Sequence, residues 1–560
     1  MTPSCTQPPT NIVNNTEQVD LFGEVEAIGI SIDESARRLR VSTATIRNWL
    51  KTGYLKSAGR GQITEGSLTN FQDQVVGTAK LNQRANKSSK DSHDHAALAA
   101  NFINRIQLNG SSLNRLGDEY EASLSDSYRN KEGIYYTAEH IVSDLLSIPK
   151  EKITNATFCD PCCGSGNFII RALEIGFRPE NVFGFDVDPV AVEITKARIR
   201  QFCGYDSSNI ITKDFLNVAS NGGARTFDHI YTNPPWGKKL TKEEKEFLGS
   251  RFRSGSSIDT CSLFFFACLS CLSGGGTLGL LLPESFFNIS TFEQARLKAL
   301  SLSVNRLVDY DKAFKGLLTK AQAIILTNKP LEEHHFVKCD KAGASTQRTA
   351  RSFMSNPKAI LNLHCEQESA DTLDYLFSMP YVRLAEKASW GLGIVTGNNE
   401  KFVVPSEREG YMPVFKGSDI KLNELKKPSS YIPSDLSQYQ QVAPLKLYQA
   451  KEKLIYKFIS SRLCFYYDTE QRFLLNSANF VIPDPDFPVS TKVLGELLSS
   501  DFMNWMFSSI FNTHKILRGD LEELPIFNQF LAGSSCFNEE QYIENLNIKK
   551  EQNGTYRIKR

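Results

Sequence analysis

The segment from residue 157 to residue 174, TFCDPCCGSGNFIIRALE, constrains the fold of this chain more than any other. An apolar lead ends at Asp160, glycines follow at positions 164 and 166, and an amphipathic helical pattern comes next. This order predicts a strand, a glycine loop and a helix, the arrangement in which open α/β sheets bind ligands beyond the carboxyl ends of their strands. The spacing is not GxGxxG and no Gly-Lys-Ser/Thr follows, so a phosphate-binding loop is disfavoured.

Acidic residues close the next two apolar segments. The segment VFGFDVDP, residues 182–189, ends in Asp186 and Asp188. We expect Asp186 to accept hydrogen bonds from ribose hydroxyls and Asp188, which precedes a proline, to cap the following helix. Further on, Asp214 and Phe215 would accept from an adenine amine and stack on its ring. A solvated aspartate beside a core phenylalanine explains this third pair equally well when it is read alone.

A tetrapeptide, Asn233-Pro234-Pro235-Trp236, follows an alternating apolar stretch. It offers two oxygen acceptors and a flat apolar ring, which an exocyclic ring amine needs before it can attack a methyl donor. Pro-Pro turns are common and a tryptophan after them often anchors a loop, so the glycine loop upstream is needed to give the tetrapeptide meaning. Together they predict methylation of an amine on a nucleic-acid base.

The motifs follow one another in an order that resembles a known enzyme family. Tyr135-Tyr136-Thr137, the glycine loop, Asp186, Asp214-Phe215 and Asn233-Pro-Pro-Trp resemble, in this order, the S-adenosylmethionine-dependent N6-adenine DNA methyltransferases of bacterial restriction-modification systems. In their gamma arrangement the segment resembling GIYYTAEHIV precedes the glycine loop and the target-recognition domain follows the catalytic domain. The resemblance implies an α/β fold with a Rossmann-like class I methyltransferase core.

The resemblance also implies which residues form the site. The cysteines at 162 and 163 depart from the family, which usually has small residues there, and the second aromatic residue that sandwiches the target base is not identifiable. The expected catalytic residues are Asn233, Pro234, Pro235 and Trp236, and the expected cofactor-binding residues are Tyr136, Thr137, Asp160, Cys162, Gly164, Gly166, Phe168, Asp186, Asp214 and Phe215.

The chemistry of adenine suggests how such a site acts. The N6 lone pair is delocalised into the ring, so we expect the Asn233 side-chain oxygen and the Pro234 carbonyl to accept the two N6 hydrogens and aim the lone pair at the methyl donor. The base must leave the duplex at a cost of about a few kcal/mol, partly offset by stacking on Trp236. Neither a metal nor a covalent enzyme intermediate is required.

Length, charge and cysteine content suit a multidomain enzyme. A chain of 560 residues with 41% hydrophobic residues holds several domains. A net charge of +1 means that DNA contact must use local basic patches. Twelve irregularly spaced cysteines and no signal segment predict a reducing cytoplasm. Two CxxC pairs lack flanking histidines, so we expect no metal.

The uncharged stretch from 263 to 282 is long enough to span a bilayer. Its middle, SGGGT, reads as a helix end and a turn into a buried strand. We therefore expect a core helix and a parallel strand, and no membrane association.

Residues 25–71 form a predicted winged helix-turn-helix module, followed by a polar linker over 72–98. Its apolar positions, Ala36, Leu39, Ile46 and Leu50, would pack, and the module looks like excisionase-type and MerR-type DNA binders. A helical hairpin with a solvated basic face is the alternative. The residues expected to contact DNA are Thr45, Arg47, Asn48, Lys51 and Arg60.

The remaining chain divides into a methyltransferase domain over 99–345 and an α+β target-recognition domain over 380–530. The second region interleaves Lys and Arg with Tyr and Phe, which suits phosphate contact with base stacking and suits a β-rich core equally well. The segments 393–402 and 415–417 resemble target-recognition domains of the family, so Lys416 is an expected DNA contact.

The predicted function is transfer of a methyl group from S-adenosylmethionine to N6 of a flipped adenine in double-stranded DNA, protecting the host from a separate cognate restriction endonuclease. N4-cytosine methylation is an alternative, although those enzymes usually begin the tetrapeptide with serine. Glutamine methylation of a protein is disfavoured by the large carboxyl-terminal domain. A DNA-binding regulator of the restriction-modification operon with a methyltransferase-like core is the alternative from another class.

Overall fold

The computed structural model describes residues 29–39, 43, 46, 50, 55, 57–59, 62–68, 102, 113–124, 135, 137–221, 225–314, 319–341, 343–422, 424–511 and 513–559. The chain forms two compact units, residues 1–100 and residues 101–560. The expected linker, residues 72–98, lies outside the described residues, as do Thr45, Arg47, Asn48, Lys51, Arg60, Tyr136 and the side chain of Leu39.

The described part of the amino-terminal unit is a helix packed on a small antiparallel sheet. The helix α1 (Ile32–Leu39) follows β1 (Gly29–Ser31), and β3 (Gln62–Thr64) pairs with both β1 and β2 (Ser57–Gly59). Ile30, Ala36, Ile46, Leu55, Ile63 and Leu68 form its buried core, with Leu50 packed against it. The expected packing positions Ala36, Ile46 and Leu50 thus lie together.

The large unit begins with an α/β domain. The strands of its sheet are β4 (Phe158–Asp160), β5 (Val182–Asp186), β6 (Ile210–Thr212), β7 (Phe227–Thr232), β8 (Leu272–Pro283), β9 (Leu302–Asp309), β10 (Ala321–Pro330), β11 (Phe336–Lys341) and β12 (Ala344–Thr349). Its helices are α2 (Leu113–Ser123), α3 (Glu139–Leu145), α4 (Asn167–Ile175), α5 (Pro189–Cys203), α6 (Phe215–Ser220), α7 (Lys242–Phe252), α8 (Thr260–Ser270), α9 (Glu284–Asn288) and α10 (Glu293–Leu300), with 3-10 helices at Lys150–Lys152, Pro179–Asn181 and Ser290–Phe292.

These described strands form one sheet in the order β12-β11-β9-β10-β8-β7-β4-β5-β6. The strands from β4 to β8 are parallel, whereas β10 runs antiparallel to both of its neighbours. The chain leaves β4 towards β6 and then crosses back to β7 on the other side of β4. This reversal opens a crevice at the carboxyl ends of β4 and β7, where open α/β sheets bind ligands.

The uncharged stretch, residues 263–282, lies in α8 and then in β8, which is parallel to β7, as the sequence predicts. The turn expected at SGGGT is wrong, because those residues lie inside β8, where the register with β7 shifts. Gly275 has a φ of +79° there, so glycine absorbs the irregularity within the strand. The described part of the chain contains no helix with the length and apolar character that a bilayer crossing requires.

The carboxyl-terminal part is α+β. Its strands are β13 (Ala388–Leu392), β14 (Tyr411–Phe415), β15 (Ile420–Lys421), β16 (Glu424–Leu425), β17 (Ser430–Pro433), β18 (Lys453–Lys457), β19 (Phe465–Asp468), β20 (Phe473–Leu474), β21 (Ala478–Pro483), β22 (Ile548–Lys550) and β23 (Tyr556–Ile558). Its helices are α11 (Arg351–Met354), α12 (Gln367–Phe377), α13 (Asn399–Phe402), α14 (Leu445–Tyr448), α15 (Thr491–Leu498), α16 (Asp501–Phe511), α17 (Arg518–Leu521) and α18 (Glu539–Asn545), with 3-10 helices at Pro357–Ala359, Gly417–Asp419, Leu436–Gln438 and Asn528–Phe530.

Two buried arginines tie the α/β domain to the segment that follows it. The Arg296 guanidinium donates to four backbone carbonyls, among them those of Lys358 and Ala359. The Arg348 guanidinium donates to Asn362 and to the carbonyl of Cys365. Since buried charged donors must be satisfied, these bonds hold the connection in one geometry.

Candidate active site

The glycine loop follows β4 and the tetrapeptide follows β7, and these strands are neighbours. Asp160 ends β4, Thr232 ends β7, and Asp186 ends β5 on the other side of β4. The topology therefore brings three of the sequence motifs to one edge of the sheet.

The glycine loop adopts backbone conformations that favour glycine. Gly164 has a φ of +50° and Gly166 a φ of +90°. A Cβ atom on Gly166 would lie 2.8 Å from side-chain atoms of Thr195, whose hydroxyl donates to the Gly164 carbonyl at 2.8 Å. Because the left-handed region is costly for other residues, this turn requires glycine at position 166.

Asp160 is a buried carboxylic acid beneath this loop. Its Oδ1 accepts from the Cys162 amide at 3.1 Å, whereas Oδ2 is buried without a hydrogen-bond partner, as is the neighbouring Thr232 hydroxyl. Burial raises the pKa of Asp160 to about 7, and the hydrogen bond from the Cys162 amide opposes this rise. Unpaired polar atoms in so buried a place are costly, which marks the position as a site for a further polar group.

Asp186 closes β5 and holds the glycine loop. Its Oδ2 accepts from the Gly164 amide at 2.8 Å and its Oδ1 from the Asp188 amide at 2.9 Å. Burial raises the pKa of Asp186 to about 6. Asp188 caps α5 through Val190 at 2.9 Å, which confirms the predicted cap, and it also accepts from the buried Tyr120 hydroxyl at 2.7 Å.

Asp214 and Phe215 begin α6 at the end of β6. Asp214 Oδ1 accepts from the Leu216 amide at 2.9 Å, so the carboxylate caps the helix, a role that the sequence did not suggest. Phe215 is buried and packs edge-on against Phe185, with ring centroids 5.3 Å apart.

Asn233 is fixed by a residue from the segment before the glycine loop. Its Nδ2 donates to the Tyr135 carbonyl at 2.7 Å, and its Oδ1 is buried without a partner. Two residues further, the Thr137 carbonyl accepts from Asn167 at the start of α4 at 2.9 Å. The segment at 135–137 thus connects the tetrapeptide to the glycine loop through its backbone.

Trp236 belongs to an aromatic cluster that the sequence did not reveal. Its ring meets Phe314 edge-on at a centroid distance of 5.1 Å, and Tyr135 lies 6.2 Å from Trp236 and 5.6 Å from Phe314. The Trp236 Nε1 donates to the Leu281 carbonyl on β8 at 3.3 Å. Phe314 follows β9 in a segment without periodic pattern, so only the tertiary contact identifies it.

Residues at the amino end of α8 donate hydrogen bonds to the tetrapeptide and to the residues just after it. The Thr260 hydroxyl donates to the Lys238 carbonyl at 2.7 Å, and the Cys261 thiol donates to the Pro235 carbonyl at 3.7 Å. Burial raises the pKa of the Cys261 thiol, which keeps it protonated and a donor. The turn is therefore held on both sides, by Tyr135 and by α8.

The other expected site residues differ in how far they are buried. Cys162 is half-buried in the glycine loop, Phe168 is buried on α4, and Thr137 is buried. Lys416 is half-buried after β14, with its amide donating to Asp419 at 2.8 Å. Within the described ranges, no three His, Cys, Asp or Glu side chains are grouped so that they could hold a metal ion.

Comparison with known proteins agrees with this geometry. Residues 111–304 match the N-6 DNA Methylase family, and residues 412–526 match the TaqI-like C-terminal specificity domain. The Type II methyltransferase M.VspI of Vibrio sp. (strain 343) is 46% identical over 404 residues, which are 72% of this chain and 99% of that protein. The structure of the Type IIL restriction-modification enzyme MmeI in complex with DNA has a TM-score of 0.50 at 13% identity, over 74% of this chain and 70% of that one, a likeness of fold alone. The chain therefore belongs to the N-6 DNA methylases and is a type II, adenine-specific DNA methyltransferase with a TaqI-like specificity domain.

Proposed function

We propose that Asn233 orients the N6 amine of an adenine that has been flipped out of double-stranded DNA, so that it accepts the methyl group of S-adenosylmethionine. The observation that carries this proposal is the Asn233 side chain, whose Nδ2 is bonded to the Tyr135 carbonyl while its Oδ1 remains a buried acceptor without a partner. A buried acceptor that no protein group satisfies is costly unless a ligand donor fills it.

The residues at the ends of β4 and β5 suit the cofactor. The left-handed turn at Gly164 and Gly166 has no side chains of its own at these two positions, so the loop backbone can approach a bound cofactor closely. An ionised carboxylate has about four acceptor sites, and Asp186 uses two of them on backbone amides, which leaves capacity for both ribose hydroxyls. The unpartnered Asp160 Oδ2 offers a negative charge to the positively charged cofactor.

The remaining cofactor contacts follow from the same strand ends. Asp214 uses Oδ1 for the helix cap and would accept from the adenine amine of the cofactor through its other oxygen. Tyr136, Thr137, Cys162, Phe168 and Phe215 would line the same pocket. The bound cofactor supplies a methyl group on a sulfonium, a strong leaving group.

Catalysis then depends on alignment by the tetrapeptide. The Asn233 Oδ1 and the Pro234 carbonyl would each accept one N6 hydrogen, which draws the nitrogen towards a tetrahedral shape with its lone pair directed at the methyl carbon. The rigid Pro235 and the bonds from α8 keep these acceptors in place. Preorganised acceptors of this kind typically account for about 100-fold to 1,000-fold in rate.

Trp236 and Phe314 would hold the target base between them. Their rings meet edge-on with centroids 5.1 Å apart. A base that enters the site must therefore separate the two rings and replace their mutual contact by stacking on each of them. Base stacking on an aromatic side chain contributes about 1–3 kcal/mol, which offsets much of the cost of flipping. Phe314 is our candidate for the second aromatic residue, and Tyr135 supports both rings from behind.

The DNA contacts outside the pocket would come from two regions. We assign sequence reading to the specificity domain, including Lys416, and additional DNA contact to the amino-terminal unit through Thr45, Arg47, Asn48, Lys51 and Arg60. The enzyme would act in the cytoplasm without a metal ion, and would protect host DNA from a separate restriction endonuclease.

The test is to follow a labelled methyl group. Purified protein is incubated with unmethylated bacterial DNA and radiolabelled S-adenosylmethionine, and the DNA is digested to nucleosides. We expect label in N6-methyladenine with the natural enzyme and none with Asn233→Ala, while cofactor affinity stays unchanged. Label in N4-methylcytosine, or equal loss of cofactor binding in Asn233→Ala, would contradict the proposal.

A further inference from the structure

Two loops of the specificity domain pair to form a ridge, defined here as residues 457–460 and 513–516 and called the Ile459 ridge. Ile459 pairs with Lys515 in an antiparallel bridge. The Ser460 amide donates to the His514 carbonyl at 2.9 Å, and the Ile516 amide donates to the Phe458 carbonyl at 2.8 Å. These backbone bonds give the ridge a fixed shape without depending on the side chains at its crest.

The crest of the ridge carries an exposed apolar side chain. Ile459 is 65% exposed, the largest value for a big hydrophobic residue among those that the structure describes. Holding isoleucine in water forgoes the stabilisation that burial would give it, about 1.5–3 kcal/mol. A rigid, exposed isoleucine is the kind of side chain that enters DNA grooves and wedges between base steps.

Cationic side chains flank this isoleucine. Lys515 is exposed and Lys457 is half-buried, and neither has a carboxylate partner in the part of the chain that the structure describes. Two carboxylates just after the following helix, α17, are already engaged, since Glu522 pairs with Arg518 and Glu523 with Lys358 and Arg383. On the helix itself, burial raises the pKa of Asp520 to about 7, which favours its neutral form. The ridge therefore keeps its positive charge, which complements a phosphate backbone.

The ridge lies close to the edge of the catalytic sheet that carries the active site. It follows α16, whose last residues, Ile510 and Phe511, line a small pocket together with Glu284 and Lys320. Glu284 follows the carboxyl end of β8, next to β7, and Lys320 precedes β10. The Asn362 side chain also donates through Nδ2 to the Ser509 carbonyl at 2.8 Å, which fixes α16 to the connection between the domains.

We propose that the Ile459 ridge contacts the duplex beside the flipped adenine, with Ile459 entering a groove and Lys457 and Lys515 on the flanking phosphates. This inference rests on the proposed function, because it requires the duplex to lie between the active site and the specificity domain. It assigns to the ridge a part in opening the duplex as well as in binding it, since a wedge that unstacks a base step lowers the cost of extruding the neighbouring base.

The experiment measures binding of the full-length protein to a fluorescent duplex of about 30 base pairs, cut from a DNA fragment that the protein methylates. Lys515→Ala should weaken binding about fivefold and reduce the slope of log affinity against log salt by about 1, because one phosphate contact is lost. Ile459→Ala should weaken binding about tenfold with an unchanged slope, because it removes an apolar contact.

Matched controls lie at the opposite edge of the catalytic sheet. Lys329, exposed near the end of β10, and Phe336, 56% exposed at the start of β11, are replaced by alanine in the same assay. These variants should bind as the natural enzyme does. Wild-type affinity and slope in both ridge variants would overturn the proposal.

The outcome for the ridge is separable from the outcome for the proposed function. If the natural enzyme places no label in N6-methyladenine, the proposed function fails whatever the ridge variants do. If the natural enzyme methylates and the ridge variants bind DNA unchanged, only the ridge is excluded. Cofactor affinity should be equal in all variants, because the hydrogen bonds described for Asp160 and Asp186 involve no residue of the ridge.

Discussion

The side-chain amide of Asn233 donates to the backbone carbonyl of Tyr135 at 2.7 Å, which joins two motifs 98 residues apart. A backbone carbonyl can only accept a hydrogen bond, so this contact decides which end of the amide is Nδ2 and leaves Oδ1 as a free acceptor. The gamma order of the motifs thus has a structural meaning, because the segment at the start of the domain sets the orientation of the Asn233 side-chain amide.

We expect Asn233→Asp to reduce methyl transfer by at least about 100-fold although it retains an acceptor. Without Nδ2, a carboxylate oxygen would face the Tyr135 carbonyl, and their repulsion would turn the side chain away. Single-turnover rates at saturating cofactor and DNA measure the effect. Asn305→Asp is the control, because Asn305 also donates through Nδ2, to the Thr327 hydroxyl at 2.8 Å, and a hydroxyl can donate in return. Transfer within tenfold of the natural rate would contradict the orienting role.

The aromatic cluster leads to a second prediction. Phe314→Ala should lower methyl transfer about tenfold or more, since one stacking surface for the base is lost, while cofactor affinity remains. Trp236→Phe keeps a stacking ring but loses the bond to the Leu281 carbonyl, so its effect should be smaller. Once the methylated site is mapped, 2-aminopurine fluorescence at the target base reports extrusion directly. Normal fluorescence enhancement with Phe314→Ala would exclude this residue as a wall of the pocket.

Local pattern predicted the local structure around many of the expected site residues, because these residues lie where strands end. The strand, glycine loop and helix around Asp160 follow from sequence order, and the proline after Asp188 predicted its cap correctly. The order of the motifs along the chain was enough to indicate the family.

The contacts that complete the site could not be predicted, because they join distant segments. Tyr135 acts through its backbone carbonyl, which no side-chain pattern reports. Phe314 follows β9 in a segment whose apolar residues show no helical or strand periodicity, and only the folding of the sheet brings it to Trp236. The sequence around Asp214 does not distinguish a residue that only caps α6 from one that also accepts a hydrogen bond from a ligand. The structure shows the cap.

The carboxylates of Asp160, which is buried, and Asp186, which is half-buried, predict how cofactor affinity depends on pH. Burial raises the pKa of Asp160 to about 7 and that of Asp186 to about 6. A positively charged cofactor favours the ionised forms, so its affinity should rise roughly tenfold between pH 5.5 and pH 8. Titration calorimetry across this range measures it, and Asp160→Asn should flatten the upper part of the profile. A profile that stays flat in the natural enzyme would contradict the role of these acids.

The same pKa values affect stability with the opposite sign. Because both are raised above the unfolded value of about 3.9, the contribution of these groups to folding is fully present below pH 4 and is lost as pH rises through about 6 and about 7. The cofactor-free enzyme should lose part of its stability over this interval, and saturating cofactor should restore more of it at pH 8 than at pH 5.5. Thermal melting with and without cofactor tests both statements.

The glycine loop offers a matched pair of substitutions. Gly166→Ala and Gly176→Ala both place a side chain at positive φ, +90° and +112°, at a cost of about 1–2 kcal/mol. Only at position 166 would the new Cβ meet Thr195, at 2.8 Å, whereas position 176 is open. Both variants should lower the melting temperature, but only Gly166→Ala should reduce cofactor affinity, by more than about tenfold. Equal affinities would show that the loop tolerates displacement.

The specificity domain contains a buried ion pair whose disruption should be severe. Lys453 and Asp468 are both fully buried and lie 2.7 Å apart, with Arg472 on the second carboxylate oxygen at 2.6 Å. Burial acts to raise the pKa of Asp468, but the two cations outweigh it and lower this pKa, so the carboxylate stays charged. Lys453→Met would leave that charge with one partner, at a cost of about 3 kcal/mol, the lower end for a broken buried pair.

Lys446→Met is the control, because Lys446 is exposed on α14 in the same domain and its replacement should change stability by less than about 0.5 kcal/mol. Hydrogen exchange measured during urea unfolding reports the stability of the catalytic domain and of the specificity domain separately. The loss of stability in Lys453→Met should be confined to segments packed around β18 and β19. Cofactor affinity should survive, since the pair contacts neither Asp160 nor Asp186, while DNA binding should fail at a lower temperature than in the natural enzyme. A Lys453→Met variant as stable as Lys446→Met would mean that Arg472 alone neutralises Asp468.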